Sequence, residues 1–404
     1  MNMIKTFLQI LLMASIMVPW NVPALDRLDY TGTLSNSSFG PNYPESLVVK
    51  GLLQITRGQL QQALTTVDEL ISIAPNFKLA YLIRGDLLMA KSQQLEGFGN
   101  TPQNNSTSVE DFKAEARMRI ERYLESHAPQ GVPEPLWQID SSQKYAIVVD
   151  ADKSRLYLYQ NIGGKPTYVA DYYVTIGRNG SEKSSEGDKR TPLGVYTASS
   201  KLNSKLPDFY GSAAYPLSYP NEWDKQQGKK GHGIWLHGTP SNTYSRPPRA
   251  SDGCVVISNP DLETLGPILQ QGGTPFIIVS QLKWVTQPAP EQPQLQKAVD
   301  QWRQDWQSQD TDRYLSHYSS RFFTQTTDIN GWSREKRRIQ FDKKPVSIVL
   351  SNLSMIRYPN SQFPMAVVSF DQEYKSEFLD SRMRKRQYWI YEEQRWKILY
   401  EGAA

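Results

Sequence analysis

Cysteine is nearly absent from these 404 residues: Cys254 is the only one. A single cysteine excludes an internal disulfide framework and any zinc site built on paired cysteines. Histidine is almost as scarce, and its four residues lack the spacing of metal ligands, so neither a metal nor a cofactor is expected. Charge of one sign is not in excess. The formal net charge of +4 is too small to indicate a nucleic-acid partner. Long apolar runs are missing except near the N-terminus, where residues 7–14 open a run that continues to Val18. That run falls short of the roughly 20 residues a membrane span needs. Lys5 precedes it and Val22-Pro23-Ala24 follows it, so residues 1–24 read as a secretory signal peptide. Its cleavage would leave no stable membrane span.

What is present suits a chain of two or three domains. Apolar residues make up 39% and charged residues 21%, which excludes global disorder. Residues 45–127 carry helical apolar spacing. Gly51 and Gly85 stand 34 apart with Ala63 and Pro75 between them, a tetratricopeptide-like period. "APQGVPEP" breaks that pattern. From Tyr145 the runs become short, β-branched and aromatic, as in "YAIVVD", "SRLYLYQ" and "TPFIIVS", which predicts a mainly β domain over 140–283. One helix is expected inside it, capped by Asn259 with Pro260 first. Residues 284–294 read as a proline-rich linker. Residues 295–404 begin with helical spacing at Leu295, Val299, Trp302 and Trp306 and end in strands, an α+β pattern.

An exported chain with one cysteine holds either an intermolecular bridge or a free thiol. The bland reading is a buried, inert thiol. The surroundings favour chemistry. His237 lies 17 residues before Cys254, at the end of the strand-like run Ile234-Trp235-Leu236, where it can serve as a rigidly held base. Gly253 permits a tight turn before the thiol, and such a turn can offer backbone N–H groups to an oxyanion.

Three segments carry a specific resemblance: Thr191-Pro192-Leu193-Gly194-Val195-Tyr196, then His237-Gly238, then Ser251-Asp252-Gly253-Cys254. In this order they resemble the catalytic domain of the L,D-transpeptidases. The resemblance implies Cys254 as nucleophile, His237 as base and the Gly238 carbonyl as its orienter. It implies an oxyanion hole from the amides of Asp252, Gly253 and Cys254, with Ser251 shaping the turn. Asp252 stands where the family usually has a second histidine, and Val256 where it has Arg or Asn. Arg249, Arg246 and His232 are candidates for gripping substrate. The C-terminal segment resembles the nuclear-transport-factor-two-like fold, a cone-shaped sheet over a pocket. The expected protein is therefore multidomain: a helical N-terminal segment, a mainly β catalytic domain and an α+β C-terminal domain.

The implied activity is that of an envelope or periplasmic cysteine acyltransferase acting on tetrapeptide stems of peptidoglycan. It would release D-alanine and pass the acyl group to an amine. Water as acceptor would make it an L,D-carboxypeptidase; a wall-linked protein as leaving group would make it an amidase. Shape-determining L,D-carboxypeptidases of spiral bacteria also pair this domain with such a C-terminal domain. The alternative from another class is a non-catalytic scaffold. Both outer domains are read as surfaces for envelope proteins or for a second copy of the chain. The basic runs at Arg334–Arg338 and Arg382–Arg386 are expected to be solvated, with docking of anionic polymer as the sharper reading.

Overall fold

The alternating runs after residue 144 pair into one sheet of the computed structural model, which describes residues 43–92, 97–99, 106–125, 129–203, 205–269, 273–340 and 345–404. The signal segment 1–24 lies outside the described residues. Among the described residues four helices come first: α1 (Tyr43–Thr56), α2 (Leu60–Ile73), α3 (Lys78–Met89) and α4 (Ser106–Leu124). Gly51 and the buried Ala63 allow α1 and α2 to approach closely; a Cβ on Gly51 would stand 3.1 Å from Val67. Two short strands follow, β1 (Val132–Pro133) and β2 (Leu136–Gln138).

The central domain contains β3 (Tyr145–Asp150), β4 (Arg155–Ile162), β5 (Lys165–Gly177), β6 (Gly194–Ala198), β7 (Ala214–Pro216), the helix α5 (Glu222–Gln226), β8 (Trp235–His237), β9 (Arg249–Ser251), β10 (Val255–Ile257), the helix α6 (Asn259–Leu269) and β11 (Thr274–Val279). The sheet order is β6-β11-β3-β4-β5-β10-β8-β7, with β9 paired to β5. Leu262, Leu265 and Leu269 of α6 are buried in the same core as Ile147, Leu158, Val174 and Val255. Two helix expectations need correction. The domain has a second helix, α5, too short to show a periodic stripe, which starts in a capping box between Asn221 and Asp224. The cap of α6 is Ser258, whose hydroxyl accepts from the Asp261 amide; the Asn259 side chain reaches elsewhere.

The stretch expected as a linker is ordered at both ends. Its first residues form β12 (Trp284–Val285), paired with β1, and its last residues start α7 (Glu291–Gln307). Pro293 causes no break because it lies in the first turn, where its missing N–H would have no partner. The rest comprises α8 (Thr311–Ser316), β13 (Tyr318–Phe323), α9 (Ile329–Ile339), β14 (Ser347–Arg357), β15 (Met365–Lys375), β16 (Asp380–Glu392) and β17 (Arg395–Ala403). Leu295, Val299, Trp302 and Trp306 of α7 all pack into its core. Its sheet runs β13-β17-β16-β15-β14-β2. The sixth strand thus comes from the segment between the helices and the central domain.

Both outer parts are fastened to the central domain. Glu115, Arg119, Glu45, Arg155, Asp171 and Arg122 form a continuous row of ion pairs from α1 and α4 to β4 and β5. On the other side Asn221 donates to the Tyr358 hydroxyl at 3.0 Å, and Tyr388 donates to Glu222 at 2.9 Å. Three residues of the second basic run are spent inside the fold: Arg384 pairs with Asp140 and Asp371, Lys385 with Glu401, and Arg386 with Glu222.

Candidate functional site

Strand register sets the lone thiol and the imidazole at the ends of neighbouring strands. β8 and β10 run parallel, with Val255 opposite Leu236 and Val256 opposite His237. Extending that register by one residue sets Cys254 level with Trp235. Side chains two apart on a strand share a face, so Cys254 and His237 project to the same side. His237 is buried, and its Nδ1 lies 2.7 Å from the Gly238 carbonyl oxygen. That carbonyl can only accept, so Nδ1 carries the proton and Nε2 is left as the basic nitrogen.

The turn before the thiol requires glycine. Gly253 has φ +123°, and a Cβ there would meet the Arg190 carbonyl oxygen at 2.8 Å. Thr191 holds this turn from below. Its hydroxyl donates to the Gly253 carbonyl at 3.0 Å and accepts from the Gly177 amide at 2.8 Å. Ser251 closes the turn, accepting from the Gly253 amide at 3.1 Å and donating to the Cys254 carbonyl at 2.6 Å. The Gly253 N–H is thereby occupied, which removes it from the expected set of oxyanion donors.

Cys254 is half-buried, and its Sγ donates to the Gly233 carbonyl at 3.4 Å. Burial pushes the thiol up to about 11, and the Asp252 charge adds to this; the Trp235 amide, Arg246 and Lys183 oppose it. His237 is lowered to about 4, first by burial and then by the Arg246 charge, against the Gly238 carbonyl. The two values are far apart, so the resting site holds a neutral thiol and a neutral imidazole.

Other candidates fall at different distances from this centre. Asp252 forms an ion pair with Arg178 at 2.7 Å. Arg249 is exposed on β9. His232 is also exposed, 3.9 Å from Glu186. Arg246 lies over Phe209, 5.1 Å from its ring centroid, and Phe209 lies 6.0 Å from the His237 ring. Val256 is buried in the sheet.

Several neighbours escaped the sequence reading. Asn259 holds the segment after His237: its Oδ1 accepts from the Ser212 and Thr239 amides, and its Nδ2 donates to the Thr239 carbonyl. Tyr210 packs 5.2 Å from the His237 ring. Asp188 organises the loop before Thr191 by accepting from Lys183 and from the amides of Ser184, Ser185 and Arg190. "PDFYG" offered a faint signal, two aromatics before a glycine; the role of Asn259 was hidden behind its resemblance to a helix cap.

A thiol after a buried glycine turn and an imidazole on the neighbouring strand form a candidate site suited to acyl transfer. Residues 144–278 match the L,D-transpeptidase catalytic domain and residues 294–402 the Cds6 C-terminal NTF2-like domain. The chain therefore carries an L,D-transpeptidase catalytic domain joined to an NTF2-like domain, within a multidomain protein with a helical N-terminal segment. It is similar to Bd1075 of Bdellovibrio bacteriovorus, with 27% identity over 68% of this chain and 98% of that one and a TM-score of 0.59. It is also similar to the helical cell shape determining protein Pgp2 of Campylobacter jejuni, with 25% identity over 70% of this chain and 99% of that one and a TM-score of 0.59. No curated protein matches it. A domain of this kind acts on peptidoglycan, which implies an exported, cell-envelope location. Among the described residues no helix is long and apolar enough to cross a membrane.

Proposed function

We propose that this protein is a cysteine L,D-carboxypeptidase that trims peptidoglycan tetrapeptide stems to tripeptides in the cell envelope. The observation that carries the reading is the strand register that sets Val256, two residues after Cys254, opposite His237, whose Nδ1 lies 2.7 Å from the Gly238 carbonyl oxygen. His237 Nε2 takes the thiol proton as sulfur attacks the carbonyl of the third stem residue. The amides of Asp252 and Cys254 are the candidate donors to the resulting oxyanion. Collapse breaks the C–N bond, and the proton on His237 passes to the departing amine of D-alanine. Water, activated by the same imidazole, then cleaves the thioester and restores the thiol. The likeness over two thirds of the chain to a protein that determines helical cell shape supports water as acceptor.

Transfer to an amine, giving a cross-link, is the second reading, because the same thioester serves both outcomes and the catalytic domain matches transpeptidases. Defined muropeptides incubated with the pure protein and followed by mass spectrometry separate them. Loss of D-alanine alone supports trimming. Dimers support transpeptidation, and release of a stem-linked protein supports an amidase. No product with the wild type, and an unchanged wall composition in cells carrying Cys254→Ala, would leave a scaffold.

A further inference from the structure

Arg246 is a cation without a counter-ion at the edge of the thiol site. Its Nη2 donates to the Ala250 carbonyl at 2.7 Å, and its Nη1 is enclosed yet donates to nothing. Among the described residues no carboxylate pairs with it; Asp252, the acid that acts on it, is taken by Arg178. An enclosed guanidinium N–H with no acceptor is costly and is expected to find one in a ligand. The position is fixed from both sides. The Arg246 carbonyl accepts from the hydroxyls of Tyr173 and Thr175, each at 2.9 Å. The two residues before it are tied to the helical segment: Tyr244 stacks on Phe77 at 4.7 Å, and the Ser245 hydroxyl donates to Glu115. Such preorganisation suits a recognition group rather than a mobile surface side chain.

We propose that Arg246 is the specificity residue of the site, binding the free C-terminal carboxylate of the residue that leaves. This rests on the acyl-donor reading above. Arg246 lies over Phe209, which in turn lies 6.0 Å from the His237 ring, and its Nη2 holds the Ala250 carbonyl four residues before Cys254, which sets it beside the site. In a tetrapeptide donor the leaving residue's carboxylate lies one Cα beyond the scissile nitrogen. A guanidinium meeting it restricts the enzyme to donors that end one residue past the cleaved bond.

The test compares wild type with Arg246→Gln and Arg246→Lys on three tetrapeptides: the free acid, its C-terminal amide, and a form amidated only on the third residue's side-chain carboxyl. The wild type should favour the free acid over the C-terminal amide by about 10- to 100-fold, mostly through KM, as a charge-assisted hydrogen bond supplies. Arg246→Gln should lose that preference and Arg246→Lys should regain part of it. A preference that follows the side-chain carboxyl, or one that survives in Arg246→Gln, overturns the assignment. A second readout needs no turnover. Wild-type Cys254 should react faster with iodoacetate, relative to iodoacetamide, than the Arg246→Gln thiol does, by about 3- to 10-fold from the lost charge. If the wild type turns over no peptide while this ratio still falls in Arg246→Gln, the proposed function fails and the anion site stands. Normal turnover with an unchanged ratio defeats the Arg246 assignment alone.

Discussion

Asp252 and Arg178 form an ion pair at 2.7 Å directly beside the turn that presents Cys254. Both side chains are about half exposed, so the pair adds less than about 1 kcal/mol to stability. Its effect is on the thiol, because the Asp252 charge raises the Cys254 pKa. Asp252→Asn should therefore move the midpoint of the alkylation pH profile downward. Arg178→Gln, which leaves the aspartate unmasked, should move it upward. Equal midpoints in all three proteins would show that the pair does not act on the sulfur.

The pH dependence follows from two neutral partners. With His237 lowered to about 4, the acid limb of kcat/KM should lie near pH 4 rather than near 6.5, followed by a plateau through neutrality. Stability carries the same signature. The folded pKa of His237 is depressed, so its contribution is present above the unfolded value of about 6.5 and lost as pH falls through 4, on the order of 3 kcal/mol. The Cys254 contribution has the opposite sign. It is present below about 9 and lost as pH rises through about 11. Denaturant midpoints from pH 3.5 to 8 should show a step in the wild type that is missing in His237→Gln. An acid limb near 6.5 would mean that the imidazole is not desolvated.

The candidate site could be proposed from local sequence because its parts are short, rigid segments: a strand ending in His237, a glycine turn before Cys254, and Thr191 ahead of a β-strand. The β alternation of residues 145–177 and the apolar spacing of Leu295, Val299, Trp302 and Trp306 marked elements whose buried faces repeat. What could not be read depends on register between distant strands. Leu136 pairs with Ile356 of the C-terminal sheet, and no local pattern announces such a partner. Arg178 meets Asp252 because β5 and β9 run parallel at their ends. Arg384, Lys385 and Arg386 look like a solvated basic run until the fold places Asp140, Asp371, Glu401 and Glu222 opposite them.

Asn259 makes two hydrogen bonds with Thr239, next to Gly238, and a third with the Ser212 amide. The approach is tight, since a Cβ on Gly238 would stand 2.0 Å from Asn259 Oδ1. Asn259→Ala leaves two amides and a carbonyl without these partners and should cost about 1–3 kcal/mol in thermal or urea unfolding. It should also lower kcat more than it raises KM, because the Gly238 carbonyl that orients His237 loses its support. Gly238→Ala should be at least as damaging. A fully active Asn259→Ala protein would show that the carbonyl is positioned by the backbone bonds of Gly238 alone.

The helical segment is expected to be part of the enzyme's working fold, and Arg119 tests this. Its guanidinium is buried between Glu115 and Glu45 and lies 4.0 Å from the Tyr173 ring centroid. Removing one partner of a buried pair leaves the other charges unmet and typically costs about 3–5 kcal/mol. Glu115 also accepts from Ser245, and Tyr173 donates to the Arg246 carbonyl, so the loss reaches the loop beside the thiol. Arg119→Ala should therefore lower stability by several kcal/mol and raise KM at temperatures where the protein is still folded. Tyr244→Ala, which removes the stack on Phe77 without touching a charge, should raise KM in the same direction with a smaller loss of stability. A normal KM in both variants, measured well below their melting temperatures, would make the helices a passive attachment.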